Sequence, residues 1–239
     1  MSSGIYIATA GAVAQSQALD ATANNIANAS TSGFHADRVS FKETLGRAKS
    51  ADMAMVAPAT AHGVDGQNGP MLQTENPLDL AIDGDGLFGV QTPQGTRYTR
   101  AGNFQIDANR ELVSQDGFKV RGEGGAPISI PPDATQIAVT ADGDISADGQ
   151  SIGRLELVKF APAQLKREGG SLFSASGVPT KGAERPKVRS GMLESSNVNI
   201  VRGVVDLVKV SRTYESLMKM IQGYHDIESR AARDLGGPK

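Results

Sequence analysis

Apolar and small residues recur three and four apart at the two ends of the chain, and two apart through its middle. Near the N-terminus Ile5, Ala8, Ala12, Gln15, Leu19, Thr22, Ile26 and Ala29 hold the spacing of one helical stripe. Ala and Gln elsewhere in this stretch favour helix, and Ser30 to Gly33 ends it, with Gly33 suited to a left-handed stop. The pattern predicts a helix over 4–29, roughly 39 Å long at about 1.5 Å per residue. Near the C-terminus Ile200, Val204, Leu207, Ser211, Tyr214, Met218, Ile221 and His225 repeat the spacing, with Val201, Val208, Val210 and Leu217 widening the face. A strand there would place Asp206 beside Val204 and Val208, so helix is the better reading, capped by Asn197 or Asn199. Gly203 costs such a helix about 1 kcal/mol, a mark of close packing.

The middle reads as β structure. Leu78, Leu80 and Ile82 alternate with Asp79 and Ala81 before a turn at Asp83-Gly84-Asp85-Gly86, and 87–92 and 97–103 flank Pro93-Gln94-Gly95 as a hairpin. Further short strands are expected at 104–106, 111–114, 118–120, 128–130, 137–139, 145–146 and 155–160. The expected order is a helical arm over 1–45, an extended linker over 46–76, a β domain over 77–180, a linker over 181–190 and a second helical arm over 191–239. The fold class is therefore α+β: N- and C-terminal α-helices that pack together, and a central, mostly antiparallel β domain.

The N-terminal stripe offers only Ile5, Leu19 and Ile26 as large apolar groups. Three such groups leave a helix of some two dozen residues only marginally stable alone, and its small residues let neighbouring helices approach closely. Asn24, Asn25 and Asn28 fall on an arc roughly 100° or more from the stripe. They form either a solvated polar face or a set of amides that contact a second neighbour in an assembly. Ile5, Leu19, Asn24, Asn25, Ile26 and Asn28, with Val204, Leu207, Tyr214, Met218 and Ile221, are the candidate assembly residues.

Composition removes several alternatives. A net charge of −2 and the absence of Trp give no electrostatic or stacking case for nucleic acid. The N-terminal arm lacks the basic face of an interfacial helix, so direct lipid binding is not expected. No apolar run approaches the roughly 20 residues of a membrane span. The first basic residue is Arg38, which argues against a cleaved Sec signal peptide. Without Cys there are no thiolate sites, and His35, His62 and His225 have no metal-ligand spacing. Asp83-Gly84-Asp85-Gly86 and Asp142-Gly143-Asp144 lack the glycine and glutamate positions of a calcium loop and read as turns. No catalytic residue, metal site or cofactor is expected.

The motif Asn24-Asn25-Ile26-Ala27-Asn28-Ala29-Ser30-Thr31-Ser32-Gly33-Phe34 resembles the N-terminal signature of the bacterial flagellar rod and hook protein family. Gly191-Met192-Leu193-Glu194-Ser195-Ser196-Asn197-Val198-Asn199 is similar to its C-terminal signature, followed by Arg212-Thr213-Tyr214-Glu215. Pro77-Leu78-Asp79-Leu80-Ala81-Ile82-Asp83-Gly84-Asp85-Gly86-Leu87-Phe88 and Tyr98-Thr99-Arg100-Ala101-Gly102-Asn103-Phe104 match its middle. The length, Gly122 to Ile128 and Ile130-Pro131-Pro132 resemble the proximal rod branch more than the distal one, whereas His35 stands where relatives carry a basic residue. The resemblance implies an inner α-helical module made from both termini and an outer β domain. It also implies export through the flagellar type III apparatus, a place in the periplasm-spanning rod of the basal body, and proximal and distal rod subunits as partners. The implied role is structural: torque transmission from rotor to hook. A carbohydrate-binding or enzymatic β domain with helical arms is the alternative from another class.

Overall fold

The computed structural model describes residues 3–45, 56–180 and 185–235, so parts of both expected linkers, 46–55 and 181–184, lie outside the described residues. The chain divides into two compact units. One comprises Met1–Ile26, Asp37–Gly63 and Asn199–Lys239, and the other Ala27–Ala36 and Val64–Val198. Each is therefore built from segments far apart in sequence.

The helical unit contains α1 (Ser3–Ala27), the paired strands β1 (Asp37–Leu45) and β2 (Val56–Val64), and α2 (Ile200–Leu235). Small residues set the packing of the helices. A Cβ added to Gly4 would lie 3.0 Å from Tyr224 Oη, one on Gly11 3.5 Å from Leu217 Cδ1, and one on Gly203 2.9 Å from Ile26 Cγ1. These pairs ascend along α1 as they descend along α2, so the helices run antiparallel. Ala8 and Ala12 are buried on α1, and Gly203, Leu207, Tyr214, Leu217, Ile221 and Tyr224 form a half-buried stripe on α2. The helix-weakening Gly203 thus has a packing reason: the Ile26 side chain occupies the space of its missing Cβ. Asn199 caps α2, its Oδ1 accepting the Arg202 N–H at 3.0 Å.

The second unit holds the β structure, in chain order β3 (Met71–Gln73), β4 (Leu80–Asp83), β5 (Leu87–Thr92), β6 (Gly95–Thr99), β7 (Phe104–Ile106), β8 (Leu112–Ser114) and β9 (Lys119–Val120). There follow β10 (Ile137–Val139), β11 (Asp144–Ala147), β12 (Gln150–Arg154), β13 (Leu157–Val158), β14 (Leu165–Arg167), β15 (Leu172–Ala175), β16 (Lys187–Ser190) and β17 (Met192–Glu194). The main sheet has the order β14-β15-β6-β5-β9-β8-β7, with β13 also on β5. Beside it are β10-β11-β12 and the two-stranded pairs β16-β4 and β17-β3. Among the described residues the strand pairs of this unit are antiparallel, including Phe88 opposite Thr99 in the expected hairpin. Leu80, Ile82, Phe88, Val90, Phe104, Leu112, Val120 and Ile145 fill the core, where Phe88 and Phe104 meet edge to face at 5.1 Å. Residues 191–198, expected to open the C-terminal arm, instead form β17 and a loop of this unit, and the stretch expected as a linker over 46–76 contributes β2 and β3.

Gly203→Val is expected to lower the stability of the helical unit by about 1–3 kcal/mol through overpacking against Ile26. Thermal melting of the helical circular-dichroism signal checks this, and Ile26→Ala in the same chain is expected to restore part of the loss.

Candidate assembly site

The candidate residues divide between two faces of the helices. Leu207, Tyr214 and Ile221 lie on the half-buried stripe of α2, Ile5, Leu19 and Ile26 are half-buried on α1, and Ile26 meets Gly203. Val204 and Met218 are exposed. Val204 belongs to a second apolar row that periodicity alone did not separate from the first. Val201, Val204, Val205 and Val208, spaced i, i+3, i+4 and i+7, are all exposed, Val201 to 77% and Val205 to 63%. On α1, Tyr6, Ile7 and Val13 are exposed in the same way. The asparagines work locally. Asn25 Oδ1 accepts the Asp37 N–H at 2.8 Å, and its Nδ2 donates to the Asp37 carbonyl at 2.9 Å, so its amide imitates a backbone pair. Asn24 Nδ2 donates to Asp37 Oδ2 at 3.3 Å, and Asn28 Oδ1 accepts the Thr31 hydroxyl at 3.2 Å.

The segment Ala27–Ala36 is anchored in the β unit. Gly33 takes φ +66°, and a Cβ there would lie 2.2 Å from the Ala101 nitrogen, so only glycine fits. Its N–H donates to the Glu194 carbonyl at 2.7 Å. Phe34 is fully buried, and the Arg167 guanidinium stacks 4.3 Å from its ring and 5.0 Å from that of Phe173. Arg167 Nη2 also donates to the His35 carbonyl. The loop after β17 holds the segment from another side: Asn197 Oδ1 accepts the Ala36 N–H at 2.7 Å, and Asn197 N–H donates to the Phe34 carbonyl at 3.2 Å.

At the centre lies an ion cluster that sequence reasoning did not single out. The Glu194 carboxylate is 1% exposed and Arg100 2%. Glu194 Oε2 faces Arg100 Nε at 2.9 Å as an ion pair, while Oε1 accepts the Gly69 N–H at 2.9 Å and lies 2.9 Å from His35 Nε2. Arg100 spends its other nitrogens on the carbonyls of Gly84 and Gly86, at 2.7 and 2.9 Å, and on Asn68 Oδ1 at 2.7 Å. Burial lowers the Arg100 pKa from its usual value, and the charges of Glu194 and Asp85 oppose that shift. The Asp83-Gly84-Asp85-Gly86 turn therefore does hold a cation through its carbonyls, but the cation is a guanidinium of the same chain. Its carboxylates are taken by Arg189 and Lys159, each at 2.6 Å. The signal in the sequence was a single acid ending the apolar run Met192-Leu193 and a single arginine after Tyr98-Thr99.

Among the described residues the β unit presents clefts of two kinds. One, of about 370 Å³, is walled by Leu87, Phe160, Leu165 and Phe173, with the Asp85–Lys159 pair among its lining. The other, of about 330 Å³, is lined mainly by hydroxyls and amides, including Ser30, Thr31, Thr99, Asn103 and Gln115. Among the described residues no group of three His, Asp or Glu side chains could hold a metal ion, and no helix is long and apolar enough to cross a membrane.

Comparison with known proteins covers both ends and the middle. Residues 5–35 match the family model of the flagella basal body rod protein, 81–147 the D1 domain of the flagellar hook protein FlgE/F/G, and 189–234 the C-terminal region of the flagellar basal body rod FlgEFG protein. The chain is 32% identical to the flagellar basal-body rod protein FlgF of Mesorhizobium japonicum, covering 99% of both chains. It is 36% identical to FlgF of Escherichia coli, covering 97% of both, and 34% identical to the rod protein FlgG of Bacillus subtilis, covering 85% of this chain and 88% of that one.

Removing Glu194 leaves Arg100 buried without its counter-ion. Glu194→Ala is expected to destabilise the β unit by about 3–5 kcal/mol, measured by urea unfolding. Pairing it with Arg100→Met is expected to cost less than the sum of the two single changes.

Proposed function

Because the chain belongs to the flagellar basal-body rod protein family, we propose that it is a structural subunit of the rod, joined to its neighbours through the outward apolar faces of its terminal helices. The family is named for a part of a structure and not for a reaction. The observation that carries the mode of assembly is the valine row Val201, Val204, Val205 and Val208, exposed on the helix whose other face already packs against α1. A contiguous apolar row in water marks an interaction surface, and here its occupant is a helix of another rod subunit. The helical unit becomes the inner module of the rod, and the half-buried candidates Leu19, Ile26, Leu207, Tyr214 and Ile221 act by holding the pair together. The exposed candidates Val204 and Met218 act by direct contact.

Relatives named both FlgF and FlgG align along most of the chain. The segment from Gly122 to Pro132 favours the proximal position. Export through the flagellar type III apparatus and a rod crossing the periplasm complete the reading. Torque transmission then requires the helices to resist shear between subunits, which a dry apolar seam supplies and a solvated one does not.

Val205→Asp tests assembly apart from folding. Because Val205 is 63% exposed, the purified variant is expected to melt within about 0.5 kcal/mol of the parent. In cells lacking the native chain it is expected to leave the rod unfinished and motility lost, since an aspartate in a helix seam is an unpaired buried charge. Normal swimming by this variant would remove the valine row from the interface.

A further inference from the structure

Asn68-Gly69 is the single Asn-Gly pair in the chain. Such a pair commonly forms a type I′ turn, but here neither residue takes a positive φ, and 65–70 is irregular. The glycine answers a different need, since a Cβ on Gly69 would collide with the Ser195 carbonyl oxygen. Asn68 is exposed, yet the buried Arg100 guanidinium holds its amide oxygen, Nη2 donating to Oδ1 at 2.7 Å. Asn68 Nδ2 donates to the Gly84 carbonyl at 3.3 Å, and the Gly69 N–H donates to Glu194 Oε1 at 2.9 Å. The main chain is pinned on both sides of the pair. Asn197 Nδ2 donates to the Gln67 carbonyl at 2.8 Å, and the Ser195 N–H donates to the Pro70 carbonyl at 2.9 Å.

We propose that Asn68 is a self-modification site, where the Gly69 nitrogen closes on the Asn68 side chain to form a succinimide that water opens to aspartate or isoaspartate. The Gly69 nitrogen yields its proton to Glu194 Oε1 and bonds to Asn68 Cγ, whose oxygen becomes an oxyanion facing Arg100. The oxyanion collapses and the Cγ–Nδ2 bond breaks. The departing nitrogen takes the proton from Glu194 and leaves as ammonia. Water then adds to one of the two imide carbonyls. Opening at Cγ gives aspartate, and opening at the main-chain carbonyl gives isoaspartate.

Each group that the closure needs is already in place. The Arg100 guanidinium stands where negative charge develops, at the distance of an oxyanion donor. Glu194 Oε1 is within the reach of a proton acceptor from the Gly69 nitrogen. The N–H bond lies in the peptide plane, so a carboxylate that holds it leaves the face of the nitrogen open to Cγ. Glycine brings no Cβ to obstruct the approach, and the reacting atoms belong to neighbouring residues on a pinned stretch of chain. The two products act differently on the ion cluster. Aspartate at position 68 sets a second carboxylate against Arg100. Isoaspartate puts one extra atom into the main chain between 68 and 69, which moves Gly69 from its place against Ser195.

Peptide mapping by mass spectrometry, on the full chain incubated at neutral pH, follows the mass gain of an amide becoming an acid. At Asn68 it is expected to run about tenfold faster in the folded chain than in the same chain unfolded in urea. Unfolding keeps the Asn-Gly pair and takes Arg100 and Glu194 away from it, so an equal or slower rate in the folded chain would overturn the proposal. Glu194→Gln keeps an oxygen for the Gly69 N–H but removes the proton acceptor. This variant, folded by circular dichroism, is expected to lose most of the acceleration, and conversion at the parent rate would also overturn the proposal. Should Glu194→Gln fail to fold, the parent chain in its two states decides alone.

Discussion

The Glu194 carboxylate is the constraint on which the β unit turns. It reaches Arg100, His35 and the Gly69 N–H, and the backbone carbonyl of the same residue accepts from Gly33. Four stretches that look unrelated in sequence are thereby fixed to one side chain: the segment after α1, the loop before β3, the turn after β6 and the strand β17. A buried charge is costly unless every lone pair is used. That cost makes the arrangement specific. An apolar cluster would tolerate a shifted register, whereas removing either Arg100 or Glu194 leaves the other as an unpaired charge in the interior.

The helical unit obeys a different rule. Its inner seam is built by omission, with Gly4, Gly11, Ala8, Ala12 and Gly203 letting the two backbones draw together around Tyr224, Leu217 and Ile26. On α2 the inner stripe carries Leu207, Tyr214, Leu217, Ile221 and Tyr224, and a row of four valines remains on the exposed face. Val201, Val204, Val205 and Val208 gain nothing from the fold of the single chain. They are costly in water and poor for helix propensity. In the proposed assembly a second helix supplied from outside covers them.

Periodicity made both helices and most strands legible, since spacing of three and four or of two follows from which face is covered. The chain-end asparagines were legible in kind but not in assignment. Asn199 caps α2 as its place before the apolar run suggests, whereas Asn197 ties Ala36 to the β unit, a contact across 161 residues that no local pattern records. The same limit hid the ion cluster. Arg100 and Glu194 are each a lone charge beside apolar residues, and sequence does not say that the two meet. Nor did one broad apolar stripe on α2 reveal that Leu207 is half-buried and Val204 exposed, because half-buried and exposed positions interleave within a single turn.

Both units share one topological property. The helical unit needs α1 near the start and α2 near the end, and the β unit needs Gly33 to Ala36 near the start and Glu194 near the end. Neither seam can close before the last quarter of the chain is available. Contacts of such separation carry a high loop-closure cost and form late. Until then α1 has no partner for its glycine and alanine face and only marginal stability of its own. The eight residues from Asn197 to Val204 carry the tie to Ala36, the cap of α2, the glycine that receives Ile26 and the start of the exposed valine row.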